Sequence, residues 1–211
     1  MASNKSRTRP RREAVEPRRR PGKERVAALM EAAASVIAEK GYEAATMAEI
    51  AARAGALVGS LYHFFPSKEA LAGALVDRYH AIIEQAFDRI DERAASMTAE
   101  DLAGALTGLL VGIQDESRAM VALLEARAEW SAKRQVFVVS ALHRIAGTLG
   151  WRSPHLSPAT RRDMAAVLLQ TMKAMKALTA EHGHDSGAVA ELRRMTALYL
   201  ASKLDAPKKP S

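Results

Sequence analysis

From Val26 onward, apolar positions along this chain repeat at helical spacing. Val26, Leu29, Met30, Ala33 and Ile37 fall at the i, i+3, i+4, i+7 steps of one buried face. Lys40 in the last turn and Gly41 just beyond it predict the stop of this helix, since glycine enters a left-handed cap without strain. Thr46-Met47-Ala48-Glu49 then has capping-box spacing: the threonine hydroxyl accepts from a first-turn amide while the glutamate reaches back to the threonine N–H. A short helix follows with Ile50, Ala51 and Ala54 inward, ending at Gly55. Val58 to Phe65 predicts another, with Leu61, Phe64 and Phe65 as its apolar side and Pro66 as its terminator. Ser67 caps a long fourth helix whose core line runs Leu71, Leu75, Tyr79, Ile82, Ala86, Phe87 and Ile90.

Beyond that helix no segment alternates with a two-residue period, and no proline falls between Ser67 and Ser153. The remainder therefore predicts helices at about 99–114, 117–129, 132–149, 158–182 and 187–204. Thr98, Gly150, the Ser157–Pro158 pair, Gly183 and Ser186 serve as punctuation. Composition agrees. Apolar residues make up 48% of the 211, but aromatics only 5%, and alanine is abundant, which favours helices packed through small side chains. The expected fold is all-α: a three-helix helix-turn-helix head followed by a helical bundle. The expected division is a disordered basic arm at 1–21, the head at 22–68, the bundle at 69–205 and a disordered tail at 206–211.

Charge changes the picture at one end. Residues 1–25 carry ten Lys/Arg against Glu13, Glu16 and Glu24, an excess equal to the whole net charge of +7. This arm is either a solvated segment or a source of phosphate attraction, including arginines placed in a minor groove. Pro10, Pro17 and Pro21 forbid a long amphipathic helix of the kind that lies on a membrane. The basic start has no apolar stretch after it, as a signal peptide would. The most apolar segment, Leu102 to Ile113, is far shorter than the ~20 residues of a span. With no cysteine, disulfides and zinc-thiolate sites are excluded. The expectation is a soluble cytoplasmic protein with no membrane partner.

The first positioning helix, the turn at Gly55 and a second helix of about two turns have helix-turn-helix geometry. Specificity comes from the residues themselves. Ala38-Glu39-Lys40-Gly41-Tyr42-Glu43-Ala44, Thr46 and Ile50-Ala51-Ala52-Arg53-Ala54-Gly55 are followed by Gly59-Ser60-Leu61-Tyr62-His63-Phe64-Phe65-Pro66-Ser67-Lys68-Glu69-Ala70-Leu71. Over residues 24–72 this run closely resembles the tetracycline-repressor (TetR) family. The resemblance implies that Thr46, Tyr62, His63 and Lys68 reach DNA phosphates, for which each carries a suitable donor. It also implies that Val58, Gly59 and Ser60 open the recognition helix beside the base edges. One departure stands out: the family's usual Val-Ser step is Ala56–Leu57 here. Leu57 lacks the cap hydroxyl, and with Val58 it offers only apolar contact, suited to thymine methyls.

In the bundle, Gly104, Gly108 and Gly112 recur every four residues. The stripe either lets a neighbouring helix approach closely or leaves room for a ligand. Gly108, Met120, Leu124, Trp130, Phe137, His143, Met164 and Met172 are candidate lining residues for an apolar or aromatic effector, although Met and aromatics at this spacing also simply fill cores. His182-Gly183-His184-Asp185 reads as a polar loop at a helix end, not a metal site. No arrangement of catalytic residues stands out, so neither an enzyme nor a cofactor is expected.

The resemblance implies a sequence-specific transcriptional regulator, a repressor by preference, that binds a palindromic DNA operator as a homodimer and answers a small effector. The dimer would form through about 158–204, with Leu168, Met172, Met175 and Leu178 together with Leu192, Met195 and Tyr199 supplying its apolar faces. The alternative is a non-specific architectural binder that uses the arginine arm.

Overall fold

The computed structural model describes residues 20–113, 118–123 and 131–205. Most of the basic arm, the C-terminal tail from 206, Leu124 and Trp130 lie outside these residues. The described residues contain helices and no strand: α1 (Arg20–Lys40), α2 (Met47–Arg53), α3 (Val58–Phe64), α4 (Lys68–Ala94), α5 (Ala99–Gly112), α6 (Ser131–Arg152), α7 (Pro158–His182) and α8 (Gly187–Leu204). Residues 118–123 are helical as well. The all-α expectation holds. By its internal contacts the chain divides into one unit up to Asp77 and a second from Arg78.

In the first unit, α1 packs on α2 and α2 on α3. Helix α1 is described from Arg20 onward and includes Pro21. Leu29, Met30, Ala33 and Ile37 are buried as their spacing predicts, joined by Ala32 and Val36, while Val26 is half-buried. Gly41 (φ 81°) and Gly55 (φ 60°) take the left-handed conformation that closes α1 and turns the chain after α2. Thr46 caps α2 by accepting from the Glu49 amide at 3.2 Å. The reciprocal half of the expected box is replaced, because the Glu49 carboxylate pairs with Lys40.

The second unit has its core among α4, α5, α6, α7 and α8, with Phe87, Leu102, Leu106, Ile145, Leu149, Met164, Leu168 and Leu200 buried. Thr98 forms a full capping box with Asp101 at the start of α5. An ionic seam joins α4 to α6. Arg144 reaches Asp88 at 2.6 Å, Asp91 at 2.9 Å and Glu84 at 3.6 Å, while Ser140 donates to Glu84. Gly150 does not end its helix, which continues to Arg152. That extra turn is held where Arg152 donates to the Met97 carbonyl at 2.7 Å and pairs with Asp205 at 2.8 Å.

One expectation about faces needs correction. Leu168, Met172 and Met175 are buried in the body's own core and cannot face a partner. The apolar side chains that the last two helices expose are Val167 on α7 and Met195 and Leu198 on α8, while Leu178, Leu192 and Tyr199 are half-buried.

Candidate nucleic-acid interface

Two short helices build the tip of the head. Arg53, in the last turn of α2, forks onto Glu39 of α1 at 2.7 and 2.8 Å and donates to Ser35 Oγ at 2.8 Å. That guanidinium and the Ser35 hydroxyl hold the Glu39 carboxyl down at about 2, well below its ordinary value. The pair fixes α2 on α1 without using any face of α3. Nothing periodic in the sequence marks it, since the partners lie fourteen residues apart.

Helix α3 is anchored from one side by Leu61 and Phe65, both buried. Its other side stands in solvent. Val58, Gly59, Tyr62 and His63 are exposed, at positions one helical turn apart, and Ser60 is half-buried. Tyr62 is 49% exposed. The His63 ring meets Phe64 edge-on at 4.9 Å. Leu57, the residue before the helix, has extended backbone and makes no side-chain cap bond. Thr46 is exposed at the start of α2; its hydroxyl accepts from Glu49, which leaves its own proton for an outside acceptor.

Lys68 departs from the phosphate-contact role its position implies. Its ammonium donates to the carbonyls of Tyr42, Glu43 and Ala45 at 2.8, 3.1 and 3.1 Å and lies 4.5 Å from the centre of the Tyr42 ring. An ammonium has three donors. All three are occupied inside the head, so a phosphate contact would require breaking one. In this structure Lys68 is a positioning residue that closes the turn between α1 and α2.

The candidate effector residues that are described occupy different surroundings. Met120, Met164 and Met172 are buried; Met164 and Met172 belong to the body's core. His143 is exposed. Phe137 is half-buried and edge-on to Tyr79 at 5.9 Å. Gly108 borders a groove of about 460 Å³ between α4 and α5. Gly104 and Gly112 lie along it with Ile90, Met97, Leu109 and Ile113, and Arg89 and Arg93 stand at its side. A Cβ at any of the three glycines would meet no described atom within 4 Å, so the stripe is not a close helix crossing. Among the described residues no group of His, Asp or Glu is arranged to hold a metal, and no helix is long and apolar enough to cross a membrane.

A short exposed helix set against a positioning helix has the form of a helix-turn-helix head, and the second unit is all-helical among the described residues. Residues 29–75 match the family model for bacterial regulatory proteins, tetR family. The chain is 37% identical over 103 residues to the HTH-type transcriptional repressor KstR2 of Rhodococcus jostii, covering 44% of this chain and 50% of that one. It is 45% identical over 56 residues to the A-factor receptor protein of Streptomyces griseus, covering 26% of this chain and 20% of the other. The matches thus span half or less of these relatives' length. Two solved structures share the fold. A transcriptional regulator from Aquifex aeolicus has a TM-score of 0.66 at 19% identity, covering 83% of this chain and 97% of that one. FadR from Bacillus subtilis, in complex with stearoyl-CoA, has 0.60 at 22%, with the same coverage. Residues 29–75 are thus similar to the head of bacterial regulatory proteins of the tetR family, and the chain shares its all-helical fold with the solved regulators.

Proposed function

We propose that this chain is a transcriptional regulator of the TetR family, a ligand-responsive repressor that binds a palindromic operator as a homodimer. The observation that carries the reading is the solvent-facing side of α3, where Val58, Gly59, Tyr62 and His63 project while Leu61 and Phe65 anchor the helix from behind. Seven helical residues span about 10 Å, which suits a major groove about 12 Å wide. Tyr62, His63 and Thr46 then supply phosphate donors, while Leu57, Val58, Gly59 and Ser60 face the base edges.

Dimerisation through α7 and α8 is supported by Val167, Met195 and Leu198, which are 51%, 58% and 64% exposed. Met195 and Leu198 are one turn apart on α8 and so present a single apolar stripe. A second copy on this face would give the dimer two heads for the two half-sites of a palindrome, which lie about 34 Å apart for helix-turn-helix dimers. The groove beside Gly108 is the best-supported place for a small apolar or aromatic effector. Proteins of this fold have been solved with stearoyl-CoA and with triclosan. An effector that binds better to one spacing of the heads shifts the population away from the operator-bound form.

Selection of bound sequences from a random DNA pool tests the reading. The expected result is one enriched inverted repeat, protected as a single footprint, and Leu198→Glu should give monomers that no longer protect it. Uniform binding to all sequences would replace this reading with that of an architectural protein.

A further inference from the structure

The geometry points to Leu57 as a reader of the pyrimidine C5-methyl group. At one position in each half-site the protein then favours thymine, or 5-methylcytosine, over uracil and unmodified cytosine. The inference rests on the reading that α3 enters the major groove.

Leu57 is 82% exposed, so it contributes nothing to the core of the head. It occupies the N-cap of α3 yet makes no cap bond, so it does not serve the helix end either. A serine, threonine, asparagine or aspartate there would do so. Its backbone is nevertheless fixed: φ is −70°, ψ is 141°, and its carbonyl accepts from Ser60 N at 2.9 Å and Leu61 N at 3.3 Å. The isobutyl group is therefore held out from the leading end of the helix on a rigid stub. Val58 beside it is 39% exposed, and no described atom beyond the local backbone and chain neighbours lies within 4 Å of where a Cβ on Gly59 would stand. The leading end of α3 is thus apolar and open.

Neither Leu57 nor Val58 has a side-chain donor or acceptor, so neither reads a base by hydrogen bonding. Among the four base pairs, the major groove offers one apolar feature, the C5-methyl of thymine. Cytosine methylated at C5 places the same group at the equivalent point of its ring. Burying one methyl against a leucine changes affinity by about fourfold. The discrimination is therefore modest at each half-site and multiplies across a two-fold site.

The test uses the full-length protein and the duplex found by random-pool selection. Each thymine is replaced in turn by deoxyuridine, which removes only the methyl, and the Kd is measured by fluorescence anisotropy. The expected result is a three- to fivefold loss at one position per half-site and little change elsewhere. In Leu57→Ser that uracil penalty should vanish while the same sequence is still bound. Changing the sensitive pair to C·G should weaken binding, and 5-methylcytosine at that position should recover a large part of it. Uracil tolerated at every position overturns the inference but leaves the DNA-reading assignment standing, as does a penalty that persists unchanged in Leu57→Ser. Failure of the pool to enrich any sequence would remove the DNA-reading assignment itself, and this inference with it. Circular dichroism of Leu57→Ser separates a lost contact from a lost fold.

Discussion

Lys68 at the start of α4 reaches back across the head to Tyr42, donating to its carbonyl at 2.8 Å while lying 4.5 Å from the centre of its ring. The same ammonium satisfies the carbonyls of Glu43 and Ala45. These carbonyls belong to the turn after α1, where no helical N–H follows to donate to them. One side chain thus closes the α1–α2 turn and fixes where α4 begins.

Lys68→Met should therefore act on stability first. Charge-assisted hydrogen bonds contribute ~1.5–3 kcal/mol each, with less than additive totals for a shared donor. A loss of about 2–3 kcal/mol in urea unfolding is expected. Lys68→Arg should recover only part, because a planar fork does not match three carbonyls converging on one point. The slope of log affinity against log salt should stay the same in whatever fraction remains folded. A slope lower by about one, with normal stability, would instead make Lys68 a phosphate contact.

The Glu39–Arg53 pair gives the head a specific acid response. The folded carboxyl is held at about 2, below its ordinary value of 4.5. Because the shift is downward, its stabilising contribution is fully present above the ordinary value and is lost as pH falls through about 2. Glu39→Gln should flatten the fall of melting temperature with pH between roughly 4.5 and 2. An unchanged acid profile would mean that Arg53 does not hold Glu39 in solution. Both groups are exposed, so 1 M salt should weaken the effect.

The helices were legible because a period of 3.6 and standard caps fall on residues that pattern reading weighs directly, as at Thr98, Ser157 and Ser186. Gly150 misleads because a helical glycine costs only ~1 kcal/mol. The bonds from Arg152 to Met97 and Asp205, more than fifty residues away, offset that cost. Leu168, Met172 and Met175 show a second limit. A face buried in the chain's own core and a face offered to a partner have the same apolar spacing, and only packing tells Met172 from Met195. In the head, residue types suggest which groups suit DNA, but the three carbonyls that occupy Lys68 are visible only in the structure.

Leu57→Ser should raise the thermal stability of the head while it removes the proposed methyl contact. A serine at this extended N-cap can accept from the amide two or three residues on, as Thr46 does in α2, for a gain within ~0.5–2 kcal/mol. Stability and selectivity would then move in opposite directions on one substitution. Lower stability would show that the leucine side chain is packed in solution and not free.

The glycines of α5 and α6 give the sharpest contrast. Gly108 and Gly150 both sit within helices, so each should gain ~1 kcal/mol on replacement by alanine from propensity alone. At Gly108 nothing stands within 4 Å of the new Cβ, so the full gain is expected, and Gly104 and Gly112 should behave likewise. At Gly150 the new Cβ would collide with Nη1 of Arg161. The Arg161 guanidinium lies against the bare backbone there, and its Nε is buried without a hydrogen-bond partner. Gly150→Ala must push that group aside, so part of the propensity gain should be lost. The double variant Gly150→Ala/Arg161→Ala removes the obstacle and should recover the gain relative to Arg161→Ala alone. Urea unfolding of the four proteins measures the coupling directly. Additive effects at 150 and 161 would show that the guanidinium does not rest on the glycine. A Gly108→Ala protein less stable than the parent would show that the groove beside α5 is filled in solution.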